Sequence, residues 1–257
     1  MMSKIVFFDI DGTLLDHHKK LPPSTKQAIS RLKDNGTFVA IATGRAPFMY
    51  EPLREELGID SYVSFNGQYV VFENYVIYTN PLDTGRLEVL LKDSEAKGHP
   101  VVHLDHETMK ANHENDEYIN KSMASLKFTH PEFQPEFYKG RDIYQSLLFC
   151  DEDEEGFYRE KYPEFSFIRW HEHSMDILPD GGSKAEGIKR MIDKLGFRME
   201  DVYAFGDGLN DIEMIKGVGT GVAMGNAVEE LKRHADFVTA DVADDGISKA
   251  LKKLGLI

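Results

Sequence analysis

Residues 6–16 read VFFDIDGTLLD. The four residues Ile5 to Phe8 are apolar, β-branched or aromatic, the composition of a buried strand. That run meets Asp9, passes one apolar residue, and meets a second carboxylate, Asp11, followed by Gly12 and Thr13. Side chains two apart on an extended strand share a face, so Asp9 and Asp11 are expected to point together. A buried strand that ends in paired carboxylates calls for a partner of opposite charge.

Moving outward, Pro22, Pro23 and Ser24 open a stretch with helical spacing (Ala28, Ile29, Leu32), closed by Asn35-Gly36. TFVAIAT (37–43) is a second buried strand, broken by Gly44, and Pro47 suits the first turn of a helix running to about Leu57. The order β-α-β-α is the signature of a parallel α/β sheet. SYVSF-NG-QYVVF reads as a hairpin about Asn66-Gly67. From residue 84 the character changes. Helical stretches (84–97, 115–125, 153–161) alternate with strands (101–104, 143–149, 165–170, 174–178), an α+β pattern. The first pattern returns at Ser183, which with Glu186 makes an S-x-x-E capping box. VYAFGD (202–207) follows, then a helix, strand GTGVAM and further short elements. The expectation is an α/β fold with a Rossmann-like parallel core from residues 1–83 and 183–257, interrupted by an α+β cap at 84–182.

The totals narrow the function. A chain of 257 residues suits one domain plus an insert. The net charge of −14, with no basic face, argues against nucleic acid as a partner. It also means that an anionic substrate needs local cations. No stretch reaches the roughly 20 apolar residues of a membrane span, and the apolar run after Lys4 is too short for a signal peptide. The single cysteine, Cys150, lies in SLLFC and reads as a buried, inert thiol. A cytoplasmic protein without membrane or obligate protein partner is expected.

In open α/β sheets ligands bind beyond the carboxyl ends of the strands. There this chain carries Asp9 and Asp11, then Thr43-Gly44-Arg45, Lys184 after the insert, and GDGLND from Gly206 to Asp211. Crowded carboxylates repel unless a cation sits among them, and hard oxygen ligands suit Mg²⁺. Thr43 offers a hydroxyl, and Lys184 a point charge at a helix start; both suit a phosphate. Carboxylates, metal, lysine and a phosphate cradle specify phosphoryl transfer, in which a carboxylate is a known nucleophile. Asp9 would attack phosphorus, and Asp11 would act as acid and then base.

DIDGTLLD, TGR, a lysine after a cap-sized insert, and GDGLND together resemble the four motifs of the haloacid dehalogenase superfamily of phosphohydrolases. The insert's place between the second and third motifs resembles the type-IIB cap of its Cof-like sugar-phosphatase subfamily. The resemblance implies Asp9 as nucleophile and metal ligand. It implies Asp11 as acid/base, giving the metal its backbone carbonyl. Asp207 would be a metal ligand and Asp211 would hold the metal's water shell. Thr43 and Lys184 would bind phosphate, and Gly44 and Asn210 would line the site. The subfamily more often has glutamate where Asp176 stands and valine where Gly182 stands.

The expected activity is therefore a Mg²⁺-dependent phosphatase for a small phosphorylated metabolite, a sugar phosphate or a phosphorylated cofactor. The alternatives are a phosphomutase of the same fold, or a non-catalytic phospho-receiver; the cap and the second aspartate of DxD weigh against the receiver. Arg45 either touches substrate or braces its loop. Asn66 reads first as a turn residue and second as a lip of the site. His171 and His173 alternate on a predicted strand and invite a metal, but no third ligand is evident.

Overall fold

A computed structural model describes residues 4–257. Two compact units emerge: one takes the chain up to Arg45, Tyr50–Thr79 and Ser183–Ile257, the other Ala46–Met49 and Asn80–Gly182.

The first unit starts with β1 (Ile5–Phe8), fully buried, and α1 (Pro23–Asp34). Pro23 sits in the first turn of α1, where its missing N–H costs nothing; Ala28, Ile29 and Leu32 form the buried stripe. Next come β2 (Phe38–Ala42), α2 (Glu51–Leu57), β3 (Tyr62–Ser64), β4 (Tyr69–Phe72) and β5 (Tyr75–Thr79). The hairpin differs from its expected form. Ser64 pairs with Tyr69, so four residues span the turn, and Phe65, Asn66 and Gly67 all have positive φ. The two-residue turn lies further on, at Glu73-Asn74, both left-handed, between the paired Phe72 and Tyr75. It creates the edge strand β5, which carries no alternating pattern strong enough to announce it.

In the second unit, α3 (Thr84–Lys97) is capped by Asp83, which accepts from the Arg86 N–H at 2.7 Å. Then follow β6 (Val101–Leu104), β7 (Met109–Ala111), α4 (Glu117–Ser125), β8 (Gln145–Phe149), α5 (Glu155–Lys161), β9 (Phe165–His171) and β10 (Ser174–Pro179). The five strands pair antiparallel in the order β7-β6-β8-β10-β9. One sheet face buries Leu148, Met175, Ile177 and Phe167 against Leu87, Leu90 and Tyr158. Leu82 belongs to the same core, so this unit's packing begins before α3. Cys150 is buried in it, and burial pushes its thiol up to about 11, which keeps it protonated and inert.

The chain re-enters the first unit through α6 (Lys184–Leu195), β11 (Val202–Gly206), α7 (Ile212–Gly217), β12 (Thr220–Ala223), α8 (Glu229–Lys232), β13 (Phe237–Val238) and α9 (Gly246–Lys253). Ser183 caps α6 by accepting from the Glu186 N–H at 3.3 Å. The Glu186 side chain pairs instead with Arg190. The eight-stranded sheet runs β13-β12-β11-β1-β2-β3-β4-β5. All pairs from β13 to β3 are parallel, and the β3-β4 and β4-β5 pairs are antiparallel. Flanked on both sides by parallel neighbours, β1 is all apolar because neither of its faces meets water. Its carboxyl end therefore lies beside those of β2 and β11, although β11 comes nearly 200 residues later.

Candidate active site

Asp9 directly follows β1, and its N–H still donates to the Phe205 carbonyl of β11 at 3.0 Å. It is only 7% exposed. Lys184, at the first position of α6 and 1% exposed, donates to Asp9 Oδ1 at 2.6 Å and to Asp211 Oδ1 at 2.7 Å. The other oxygen of Asp211 accepts from the N–H groups of Asp207 and Gly208, each at 2.9 Å. Asp211 thus ties Lys184 to the loop after β11. Asp207 accepts from the Thr13 hydroxyl at 3.1 Å. A Cβ on Gly12 would lie 2.2 Å from Asp207 Oδ2, and Gly12 has φ +81°, so only glycine permits the two loops to approach this closely.

Among the described residues, the one group of acidic or histidine side chains disposed to hold a metal ion is Asp9, Asp207 and Asp211, with carboxylate oxygens within 4.8 Å of one another. Three carboxylates and the Lys184 ammonium leave two negative charges. Hard oxygen donors with that residual charge fit Mg²⁺. The electrostatics carry the same signature. Burial pushes Asp9 up to about 7 against the opposing pull of Lys184, with Asp211 and Asp207 adding to the rise. Burial and Asp211 push Asp207 up to about 6, opposed by the Thr13 hydrogen bond. Burial alone would lower Lys184, but Asp9 and Asp211 reverse this and hold it above the ordinary lysine range.

Asp11 is not one of this close group of three, although its charge adds to the rise of Asp207. The strand stops at Phe8, and the chain turns, with Leu14 and Leu15 donating to the carbonyls of Asp9 and Ile10. The period-2 rule therefore no longer applies at Asp11. Its carboxylate receives both prongs of the Arg45 guanidinium (Nε to Oδ2 2.9 Å, Nη2 to Oδ1 2.8 Å) and Lys19 Nζ at 2.5 Å. Of the two readings of Arg45, the brace is the one this geometry contains.

Thr43 is buried at the end of β2, and its hydroxyl accepts from the Arg45 N–H at 3.2 Å. Asn66 donates its N–H to the Thr43 carbonyl at 3.1 Å. The Asn66 amide lies over Gly44, where an added Cβ would meet it at 3.0 Å. Asn66 is therefore both a turn residue and a neighbour of the second motif. Asn210 is exposed and its Oδ1 folds back toward Gly208.

Two contributors escaped the sequence reading. Thr13 stands within the DGT stretch, where only its position next to Gly12 hinted at a role. Asn226 donates to the Gly12 carbonyl at 2.7 Å and accepts from the Val242 N–H at 2.9 Å, fixing the turn after Asp11. No local signal in MGNA marks it. The histidines take other partners. His173 hydrogen-bonds Asp151 at 2.8 Å and stacks on Tyr118 at 4.1 Å, while His171 meets the Ser122 hydroxyl at 3.0 Å. No described helix is long and apolar enough to cross a membrane.

The family model for haloacid dehalogenase-like hydrolases matches residues 6–251. The chain belongs to that family, and within it to the phosphatases. It is 54% identical over its whole length, and that of its relative, to the candidate phosphatase YkrA of Bacillus subtilis (strain 168). It is 28% identical to the pyridoxal phosphate phosphatase YbhA of Escherichia coli (strain K12), with 97% of each chain covered. The solved structure of BT4131, a subclass IIB sugar phosphatase of the same superfamily, superposes with a TM-score of 0.83. That match has 32% identity and covers 99% of this chain and 100% of the other. The α/β core with an inserted α+β unit is thus the fold of Cof-like members.

Proposed function

We propose that the protein is a Mg²⁺-dependent phosphomonoesterase acting on a small phosphorylated metabolite through an aspartyl-phosphate on Asp9, with residues 84–182 as the body of its cap. The observation that carries this reading is the buried Asp9 carboxylate, ion-paired to Lys184 and set within 4.8 Å of two further carboxylates.

Asp9 attacks phosphorus with the oxygen that Lys184 does not hold, and the ester oxygen leaves. Lys184 has three N–H donors and spends two on Asp9 and Asp211, which leaves one for a phosphoryl oxygen. Thr43 and the backbone of Gly44 supply further donors, with Asn210 at the rim. Asp9, Asp207 and Asp211, together with the backbone carbonyl of Asp11, would hold a Mg²⁺ ion, which would offset the charge of carboxylates and phosphate. Asp11 protonates the leaving oxygen and then takes a proton from the attacking water. Arg45 and Lys19 occupy three of the four lone-pair sites of its carboxylate, so one, on Oδ2, remains for this exchange.

The test is phosphate release from sugar phosphates, nucleotides, FMN and pyridoxal phosphate, with Mg²⁺, with chelator, and with Asp9→Asn. Metal-dependent turnover abolished in the variant is the expected result. A stable phospho-aspartate in the wild type with no phosphate released points instead to a mutase or a receiver.

A further inference from the structure

Three successive residues between β3 and β4 have left-handed backbone: Phe65 (φ +51°), Asn66 (φ +51°) and Gly67 (φ +101°). Glycine and asparagine accept that region, but for a bulky aromatic residue it is strained. Strain of this kind persists only where the surroundings over-determine it, and it gathers at functional sites. Phe65 is fully buried, which holds the turn from one side. The first two residues of the turn also reach the loop that follows β2. The Phe65 N–H donates to the Arg45 carbonyl at 3.3 Å, and the Asn66 N–H to the Thr43 carbonyl at 3.1 Å.

The third residue meets the first turn of α6. A Cβ on Gly67 would run into the Ser183 carbonyl oxygen and stand 3.2 Å from the Gly187 nitrogen. The approach is bare on both sides, because a Cβ on Gly187 would lie 2.8 Å from Gly67 Cα and 2.5 Å from Val63 Cγ1. Gly187 has no positive φ, and glycine is a poor helix former, so the helix itself does not ask for it. The contact does. Gly187 donates to the Ser183 carbonyl at 3.1 Å, so the oxygen that Gly67 abuts is one that starts the helical ladder. Lys184 follows Ser183 directly. All of these residues belong to the first unit.

We infer that the turn at residues 65–67 is a spacer of fixed thickness that sets Lys184 against the Thr43 loop, with Gly67 and Gly187 as its positioning residues. They act through Lys184 and Thr43, not on the phosphate. A single phosphoryl group meets donors from both sides only when the span between them is right, since hydrogen bonds weaken steeply outside a narrow range of length and angle. The turn holds that span with backbone alone. It is tied to one side by two N–H donors and pressed on the other by glycine against glycine, and neither contact has a side-chain rotamer through which to relax. The role rests on the phosphatase reading for its phosphate ligand.

The test is Gly187→Ala. It installs a better helix former, so a folded variant is expected, while its Cβ pushes α6 off the turn. A displacement of about 1 Å costs on the order of 100-fold in rate. With Mg²⁺ present and well below the variant's melting temperature, kcat/KM for p-nitrophenyl phosphate is measured, and orthophosphate binding is followed by calorimetry. The expected result is a fall of about 100-fold in kcat/KM and a rise of roughly tenfold or more in the orthophosphate Kd, the loss of one charge-assisted hydrogen bond. A merely structural glycine would move the unfolding midpoint and leave both quantities unchanged in the folded protein, and that result overturns the proposal. Gly217→Ala is the control, because its Cβ would lie 3.9 Å from that of Ala185 on the same helix. Unchanged kinetics are expected there, and an equal loss overturns the proposal too. Should Gly187→Ala fail to fold, Val63→Ala/Gly187→Ala clears the nearest clash and keeps the 2.8 Å approach to Gly67. The same losses are expected, and wild-type binding and turnover in that variant are again fatal. A wild type that neither binds orthophosphate nor releases it from any ester refutes the phosphatase reading and this role with it. Equal activity in wild type and variant refutes the role alone.

Discussion

Lys184→Met removes one charge from the centre of the site and keeps the length of the side chain. The ammonium is 1% exposed and bridges two carboxylates at 2.6 and 2.7 Å. Breaking a buried ion pair from one side costs about 3–5 kcal/mol, because the remaining charge is left buried. Here an escape exists. Asp9 is already pushed up to about 7 by burial, with Lys184 the strongest influence holding it down. Without Lys184 its carboxyl rises further and takes up a proton near neutrality. The sign follows from linkage: a carboxyl whose folded pKa lies above its unfolded value near 3.8 contributes stability that is present at low pH. That contribution is lost as pH rises through the folded value. The variant in chelator is therefore expected to lose about 3–5 kcal/mol at pH 8.5 and distinctly less at pH 5.5, measured by urea unfolding. Its phosphatase activity should fall at least 10³-fold, since a protonated Asp9 is no nucleophile. A variant that is as stable as wild type at pH 8.5, or whose deficit does not shrink on acidification, refutes the argument that Lys184 balances the charge of this cluster.

Three further outcomes follow from the same geometry. Gly12→Ala forces an alanine to φ +81° and sets its Cβ 2.2 Å from Asp207 Oδ2. Backbone strain costs about 1–2 kcal/mol, and the roughly 1 Å displacement of Asp207 should cost about 100-fold in kcat; unchanged kcat would show that the Gly12–Asp207 approach is unimportant. Arg45→Lys loses the fork on Asp11, and kcat is expected to fall about 10- to 100-fold with little change in KM, because lysine cannot hold both oxygens in plane; a change confined to KM would make Arg45 a substrate ligand instead. Mg²⁺ at about 100 times its Kd should stabilise the wild type by about 2.7 kcal/mol in thermal unfolding. Asp207→Asn should abolish most of that gain, and an equal gain in both would place the ion elsewhere.

Much of this molecule is legible in one dimension. The β-α-β-α alternation, its return after residue 183 and the apolar run of β1 determine a parallel core, because a strand buried on both faces has to be apolar throughout. Helix α3 (Thr84–Lys97) coincides with the helical stretch 84–97 expected from the sequence. The motifs DIDGT, TGR and GDGLND are contiguous, so their chemistry can be read without knowing the fold, and the family they resemble is the one the chain belongs to. What the sequence could not decide are contacts between residues far apart along it. Thr13 and Asp207 are separated by 194 positions, Lys184 and Asp9 by 175, and Asn226 and Gly12 by 214. No local pattern encodes which donor reaches which oxygen. The same limit explains Asp11. The period of two holds only while the chain is extended, and the turn after Phe8, pinned by Asn226 and the buried Ile10, hands the second carboxylate to Arg45. The sequence by itself therefore determined the chemical inventory and the order of the elements. Only the packing of distant strand ends decided how Asp9 and Asp11, two residues apart, came to hold different partners.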